Sequence, residues 1–230
     1  MASLNYKEFA LVTGGSGGIG SALCRVLPSI GLTPLIGFNS NVNIAKSLAK
    51  ECGGFAVKMD MSDNGSILAA IENISTYLDN DGVLKGVILA ASPAPDLVPF
   101  RNLNSDLLEN QFRVNVVGSQ LLLAGLIKNF FKKDKSGIII GILSEAMGNE
   151  NQPPTSGMGA YIIAKSAMKE MLRVCSTEYS WLKVRTISPG FTKTKMLDVF
   201  DPRYLELAQS EKQFSTPQEV AELIIKEIMS

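Results

Sequence analysis

Two short segments far apart in the chain carry residue types with which a protein could do redox chemistry. One is glycine-rich, TGGSGGIG at residues 13–20, and the other is YIIAK, with Tyr161 and Lys165. A glycine-rich turn that opens a helix offers backbone N–H groups to the phosphates of a nucleotide. A tyrosine four residues before a lysine shares its helix face, as proton transfer beside a cation requires. Together the two segments indicate hydride transfer with a dinucleotide.

The composition excludes several other kinds of protein. The 230 residues are 46% hydrophobic, ample for one well-cored domain, so residues 1–230 are expected to form a single domain. Lys and Arg number 22, as do Asp and Glu, and this balance suits neither nucleic acid nor an anionic membrane. The chain has no histidine, which excludes Ser-His-Asp hydrolysis and a histidine general acid. We therefore expect a small-molecule substrate.

The cysteines indicate whether the chain binds a metal and in which compartment it lies, and the apolar runs indicate whether it crosses a membrane. Cys24, Cys52 and Cys175 are too scattered for a metal site, so we expect no metal and three buried thiols in a reducing compartment. The first residues have no signal-peptide pattern, and no later apolar run approaches the ~18 residues that a transmembrane helix needs. The sequence thus predicts a cytoplasmic protein without a membrane partner.

Short apolar segments alternate with helical stretches, which predicts an α/β fold with a doubly wound parallel sheet. The strand candidates are apolar throughout, as expected when helices cover both faces of the sheet. They are residues 9–14, 33–38, 54–59, 84–91, 137–143 and 183–188. Helix candidates are residues 18–29, 41–51, 64–79, 104–131 and 158–180, the fourth capped by Asn104 or Ser105. A last helix is marked by a capping box at Thr216, Pro217 and Glu219.

The glycine-rich segment follows the first predicted strand directly and opens the first predicted helix. There the helix dipole and the unpaired N–H groups favour an anion. Gly14 permits the tight turn, Gly18 lets a pyrophosphate approach the backbone, and Gly20 lets the helix pack close to the sheet. A lone glycine motif more often marks only a turn, so its position between strand and helix is what favours a dinucleotide.

The spacing TGxxxGxG, together with the Tyr/Lys pair, resembles that of the short-chain dehydrogenase/reductase family from Phe9 to near Ile228. The family implies a Rossmann-type three-layer sandwich and hydride transfer between a nicotinamide dinucleotide and a carbonyl or alcohol group. The motif layout is most similar to the 3-oxoacyl-acyl-carrier-protein reductase branch. The resemblance implies a catalytic tetrad, here Asn115, Ser144, Tyr161 and Lys165.

Each member of this tetrad has an implied role. Ser144 would hydrogen-bond the substrate carbonyl, and Tyr161 would protonate it as the general acid. Asn115 would distort its helix and hold a water of a proton relay. Lys165 would bind the nicotinamide ribose and, together with the positive nicotinamide of the oxidised cofactor, lower the pKa of Tyr161 from its ordinary value of about 10. Alone, such a Tyr/Lys pair would more often be an exposed helix pair, and the other motifs are what favour an active site.

The resemblance also implies contacts with the cofactor. Asp60 follows the third strand, where the family contacts the adenine, and SPGFTKT at residues 188–194 matches its nicotinamide turn. After the fourth strand the chain reads LAAS instead of NNAG, so Ala90 and Ala91 offer backbone without asparagine side chains. The expected cofactor residues are Gly14, Ser16, Gly17, Gly18, Ile19, Gly20, Asn39, Ser40, Asp60, Met61, Ala90, Ala91, Tyr161, Lys165, Pro189, Gly190, Thr192 and Thr194.

The end of the second strand predicts the choice of cofactor. An acidic residue there would bond the ribose 2′-hydroxyl of NAD and repel a 2′-phosphate. This chain has Asn39 and Ser40 instead, which favours NADP(H) over NAD(H), with Ser16 as a further donor. Many NADP-dependent members of the family carry an arginine where this chain has Gly17, and Lys46 is a candidate replacement.

Two segments are expected to shape the substrate pocket, the loop 145–160 and a lid over residues 195–213. The apolar lid residues could line the pocket or belong to the core; they are Met196, Leu197, Phe200, Tyr204 and Leu205. The family usually adds a seventh strand after the last helix, and with six strands its tetramer contact is in doubt. A homodimer through helices 104–131 and 158–180 is expected.

Two other functions fit parts of the sequence. A non-catalytic nucleotide sensor or scaffold on the same fold is favoured by the altered LAAS segment and the missing seventh strand, and opposed by the intact tetrad. A sugar-nucleotide epimerase of the extended branch would need a larger C-terminal substrate domain than 230 residues allow.

Overall fold

Six parallel strands form one sheet within residues 7–78 and 82–230, the part of the chain that this computed structural model describes. The strands are β1 (Lys7–Thr13), β2 (Leu32–Phe38), β3 (Phe55–Lys58), β4 (Gly82–Leu89), β5 (Gly137–Ile142) and β6 (Leu182–Ile187). Their order across the sheet is β3-β2-β1-β4-β5-β6, so the winding reverses between β1 and β4. This is the doubly wound Rossmann-type sheet that the sequence predicts.

Helices cover both faces of the sheet. They are α1 (Gly18–Val26), α2 (Val42–Cys52), α3 (Asn64–Leu78), α4 (Ser105–Asp134), α5 (Gly159–Glu178), α6 (Pro202–Glu211) and α7 (Pro217–Met229). Side chains of α3, α4 and α5 form one core with the sheet, and those of α1, α2 and α7 form the other. Neighbouring strand residues serve opposite cores, as Leu11 and Val12 do, which explains why the strands are apolar throughout.

The helix ends follow local signals in the sequence. Asn104 caps α4 by accepting the N–H of Leu107 at 3.0 Å, and Thr216 and Glu219 form the predicted capping box of α7. Helix α6 lies in the predicted lid and was missed, although Asp201 followed by Pro202 is a start signal.

Helix α4 corrects one expectation from the sequence, since its length and composition alone would let it cross a membrane. Its apolar side chains Leu122, Leu126 and Phe131 are buried in a core against the sheet, and core helices pass the same test. The cysteines correct another, because Cys24 is buried whereas Cys52 and Cys175 are only half-buried.

Candidate active site

The candidate site lies at the carboxyl edge of the sheet, where the loops after β1, β4, β5 and β6 meet. In open α/β sheets ligands bind at this edge, where the strand order reverses. A cavity of about 560 Å³ opens there. The predicted site residues that line it are Ile19, Ala90, Ser144, Tyr161, Lys165, Pro189, Gly190, Thr192 and Thr194.

The glycine-rich loop packs so closely against neighbouring segments that two of its positions leave no space for a side chain. Gly14 has φ +61°, and a Cβ on it would lie 2.9 Å from the Cα of Ala91. A Cβ on Gly18 would collide with the side chain of Thr194. The N-cap residue of helix α1 is Gly17, which has no side chain, so the first N–H groups of the helix have no side-chain cap. This cradle of open backbone at a helix N-terminus fits the pyrophosphate of a dinucleotide.

The hydroxyl of Thr13 supports the altered segment after β4. It accepts the N–H groups of Ala90 and Ala91, each at 3.0 Å, and Thr13 is buried. Thr13, at the end of β1, thus holds the loop after β4 in place, although this loop lacks the two asparagines of the family pattern. Sequence analysis missed this role, because a threonine at the end of a strand gives no separate signal.

Ser144, Tyr161 and Lys165 converge on one wall of the cavity. Ser144 follows β5, and its hydroxyl lies close enough to the phenol of Tyr161 to influence the pKa of that group. Tyr161 and Lys165 lie in the first turns of α5 and are both buried. The Nζ of Lys165 donates to the carbonyl of Ile142 at 2.9 Å and lies 5.6 Å from the centroid of the Tyr161 ring. A phenol, a hydroxyl and an amine therefore meet where a carbonyl could enter.

The pKa values of this wall differ from the sequence-based expectation. Burial raises the pKa of Tyr161, and the neighbouring hydroxyl of Ser144 acts in the opposite direction. Burial also lowers the pKa of Lys165 from 10.5 to about 7. In the protein alone the pKa of Tyr161 is thus raised and not lowered, because desolvation outweighs other effects and also disfavours the charge of Lys165; the expected contribution of the oxidised nicotinamide stays a prediction.

Asn115 lies in a π-helical segment of α4, Arg113–Gly118, so the predicted distortion of the helix is present. This segment packs against α5, which carries the Tyr/Lys pair. Asn115 is fully buried, and its Oδ1 has no hydrogen-bond partner among the described residues. An orphaned buried acceptor is costly, so this atom is a place for a donor such as a water molecule.

The buried residue Gln111 was missed by sequence analysis. Its Nε2 donates to the carbonyl of Ala94 at 2.8 Å, and it accepts two hydrogen bonds from the side chain of Asn115. It therefore links the loop after β4 to the π-helical segment. A glutamine on a helix face gives no local sign that it is buried, so the sequence could not single it out.

The expected adenine end is formed by residues after β2 and β3. Asp60 Oδ1 accepts the N–H and the hydroxyl of Ser62, at 2.9 and 2.6 Å, and these bonds hold the pKa of Asp60 below its usual range. Asn39 accepts two hydrogen bonds from Lys58. Met61 is buried in the core, so the expected contact of this residue with the cofactor would involve its backbone. The predicted residues outside the cavity lining are Gly14, Ser16, Gly17, Gly18, Gly20, Asn39, Ser40, Asp60, Met61, Ala91 and Asn115.

The substrate end of the cavity lies between the lid and the loop after β5. Loop residues such as Gln152 and Met158 line it, as predicted. Of the five apolar lid residues, Leu205 packs behind the cavity and the others line it. The ring of Phe191 lies against the lid, with its centroid 5.3 Å from that of Phe200. At the far end of the lid, Lys212 pairs with Glu145 at 2.6 Å.

Comparison with known proteins gives a consistent result. A family model described as short chain dehydrogenase matches residues 8–204. A 3-oxoacyl-[acyl-carrier-protein] reductase of Thermotoga maritima is 26% identical over 235 residues, 95% of this chain and 89% of the relative. A cyclic-di-GMP-binding biofilm dispersal mediator protein of Escherichia coli is 25% identical over 218 residues, 93% of this chain and 86% of the relative.

Solved structures share the fold. A 3-ketoacyl-(acyl-carrier-protein) reductase from Brucella melitensis, complexed with NADH, has a TM-score of 0.84 at 19% identity, with 96% of this chain and 90% of that one covered. BdcA in complex with NADPH has a TM-score of 0.80 at 23% identity, with 98% and 88% covered. At these identities the likeness shows the fold alone.

Proposed function

This chain belongs to the short chain dehydrogenase family and is an NAD(P)-dependent oxidoreductase, and from that premise we propose that it reduces a keto group with NADPH. The observation that carries the proposal is the convergence of Ser144, Tyr161 and Lys165 on one cavity beside the glycine-rich loop. Relatives named as 3-oxoacyl-[acyl-carrier-protein] reductases favour a 3-oxoacyl thioester or a related small keto compound as the substrate.

Residues of the glycine-rich loop, of the segment after β4 and of the turn 189–194 would hold the dinucleotide. When bound, this cofactor supplies the hydride. The preference for NADP(H) is supported by Asn39 and Ser40, because neither brings the carboxylate that would repel a 2′-phosphate.

The roles of the tetrad follow from its surroundings. The raised pKa of Tyr161 keeps the phenol protonated at neutral pH, as a proton donor to the carbonyl oxygen must be. The Ser144 hydroxyl, which lies beside that phenol, would hold the same oxygen as negative charge develops. Lys165 would hold ribose hydroxyls with its amine. A water on the unpaired Oδ1 of Asn115 would take part in resupplying the proton.

A homodimer through α4 and α5 is proposed as well. These helices expose Val117, Ile163 and Val174, whose burial against a second copy would be favourable. The cytoplasmic location predicted from the sequence stays a proposal, supported by three cysteines that are free thiols.

The test is the variant Tyr161→Phe, assayed by loss of nicotinamide absorbance with keto esters and 3-keto thioesters. We expect kcat to fall by about 10²–10⁴-fold, because the general acid is lost, while the Kd for NADPH stays unchanged. The matched control is Tyr179→Phe at the end of the same helix, which should keep full turnover.

A wild-type protein that binds NADPH without turnover, and that Tyr161→Phe does not alter, would contradict the proposal. That result would favour the non-catalytic sensor, a possibility to which the name of the Escherichia coli relative also points. Tighter binding of NADH than of NADPH would overturn the cofactor preference alone.

A further inference from the structure

The ammonium group of Lys58 lies at the end of β2, although Lys58 itself belongs to β3. The parallel register pairs Phe38 with Lys58. From there Nζ donates to the backbone carbonyl of Asn39 at 2.6 Å and to Asn39 Oδ1 at 2.8 Å. Asn39 is the first residue after β2, the position that distinguishes NAD from NADP in dinucleotide-binding folds. The ammonium group of Lys58 therefore lies at the position where an NAD-dependent enzyme would have a carboxylate.

The two bonds to Asn39 fix the direction of a side chain that would otherwise sample many rotamers. A lysine ammonium has three N–H donors, and Asn39 takes two of them. Lys58 is exposed, so its charge and third donor remain accessible to a ligand. The carboxylate of Asp60 is held chiefly by the N–H and hydroxyl of Ser62, and it also interacts with the side chain of Asn39 and with the charge of Lys58, so a 2′-phosphate would share this corner with it.

The same corner is tied to the phosphate cradle. The N–H of Gly15 donates to the carbonyl of Gly37 at 2.7 Å, so the glycine-rich loop is bonded to the end of β2. The sequence analysis considered two other positions for such a charge. Position 17 is a glycine without a side chain, and Lys46 lies exposed on α2 beyond Asn39.

We propose that Lys58 recognises the 2′-phosphate of NADP(H), so that β3 supplies the positive charge that β2 and the glycine-rich loop lack. The inference rests on the proposed function, since it names the residue behind the proposed cofactor preference. It also assigns the side-chain amide of Asn39 a different task from the one expected, which is to orient the lysine.

The test is calorimetric titration with adenosine 2′,5′-bisphosphate and with 5′-AMP, which differ by the 2′-phosphate and need no turnover. We expect Lys58→Met to weaken binding of the bisphosphate by about tenfold or more, as the loss of a charge-assisted hydrogen bond does. Binding of 5′-AMP should stay within about twofold. Lys46→Met is the matched control and should change neither affinity, and Lys58→Arg should retain most of the bisphosphate affinity.

Three results would overturn the assignment: no change in Lys58→Met, an equal loss for both ligands, or a loss in Lys46→Met instead. A thermal melt of each variant shows that it is folded before titration. If wild-type protein binds the two ligands equally, the NADP preference fails together with the role of Lys58. If wild-type protein prefers the bisphosphate and Lys58→Met does so equally, only the role of Lys58 fails.

Discussion

The side-chain nitrogen of Asn115 donates to two oxygens of Gln111, the backbone carbonyl at 3.0 Å and Oε1 at 3.1 Å. Because Gln111 Nε2 is itself committed to the carbonyl of Ala94, the orientation of both amides is fixed. Asn115 Oδ1 is thereby left as the acceptor without a partner. Gln111 therefore decides which atom of Asn115 is available to a water molecule.

The variant Gln111→Leu should destabilise the protein. It leaves the Ala94 carbonyl unpaired and frees the Asn115 amide, so we expect the free energy of unfolding to fall by about 1–3 kcal/mol. The KM for the dinucleotide should rise, because Ala94 follows the loop that would contact it. Gln120→Leu, on an exposed position of α4, is the control for denaturant melts and kinetics. Equal effects of the two variants would contradict this role of Gln111.

The hydroxyl of Thr13 supports the loop after β4, so two substitutions of Thr13 should differ in their effect on stability. Thr13→Val keeps the shape but deprives the N–H groups of Ala90 and Ala91 of their acceptor. The N–H of Ala90 keeps a bond to the carbonyl of Ile88 at 3.2 Å, so the N–H of Ala91 is the donor left unpaired, and the free energy of unfolding should fall by about 1–3 kcal/mol. Thr13→Ser keeps the hydroxyl and should lose much less. Thermal melts decide between them, and similar losses in both variants would mean that the methyl group matters more than the hydrogen bonds.

Lys165 should be required for activity but should lower the stability of the folded protein at neutral pH. The unfolded lysine keeps its proton up to about 10.5 and the folded one only to about 7, so the unfolded state binds more protons between these values. The stability of the wild type therefore rises with pH across this window. Lys165→Met should be more stable than the wild type at neutral pH, with a difference that shrinks toward pH 10.5, yet nearly inactive.

Denaturant melts of Lys165→Met and wild type at a series of pH values test this directly. Lys169→Met, an exposed position on α5, serves as the control and should show no such trend. A stability difference that is independent of pH would show that Lys165 keeps its ordinary pKa in the fold.

The ion pair between Lys212 and Glu145 should restrict local opening of the lid but contribute little to the global stability of the protein. Both side chains are substantially exposed, so the pair contributes about 0–1 kcal/mol to stability. Lys212→Met should leave the Tm nearly unchanged and speed limited proteolysis within residues 195–213 severalfold. Arg173→Met, which breaks an exposed pair with Glu170 on α5, should leave that cleavage unchanged. Unaltered cleavage in Lys212→Met would mean that the aromatic contacts of Phe191 hold the lid alone.

Local patterns in the sequence were sufficient to predict the strands of the sheet and the starts of several helices. Strands buried on both faces are apolar throughout, and the caps at Asn104 and Thr216 mark helix starts with side chains that bond nearby N–H groups. The motifs also predicted a shared site, and Ser144, Tyr161 and Lys165 do line one cavity. These features depend on neighbours in the sequence or on motif order, so they can be read without coordinates.

The missed features depend on contacts between distant parts of the chain. Lys58 reaches Asn39 only because of the register between β2 and β3, and Thr13 meets Ala90 only across β1 and β4. The pKa of Tyr161 follows from the depth of its burial, which no spacing encodes. Helix α6 is different, because its start at Asp201 was readable from the sequence and was overlooked.

The close approach of Thr194 to Gly18 has a kinetic consequence. Thr194 caps the first turn of the lid by accepting the N–H of Met196 at 3.3 Å, and its side chain fills the space beside Gly18 where a Cβ would stand. The lid thus begins on the loop that receives the dinucleotide. A dinucleotide held by this loop would therefore lie against the first turn of the lid, and we expect its binding to slow the motion of the lid.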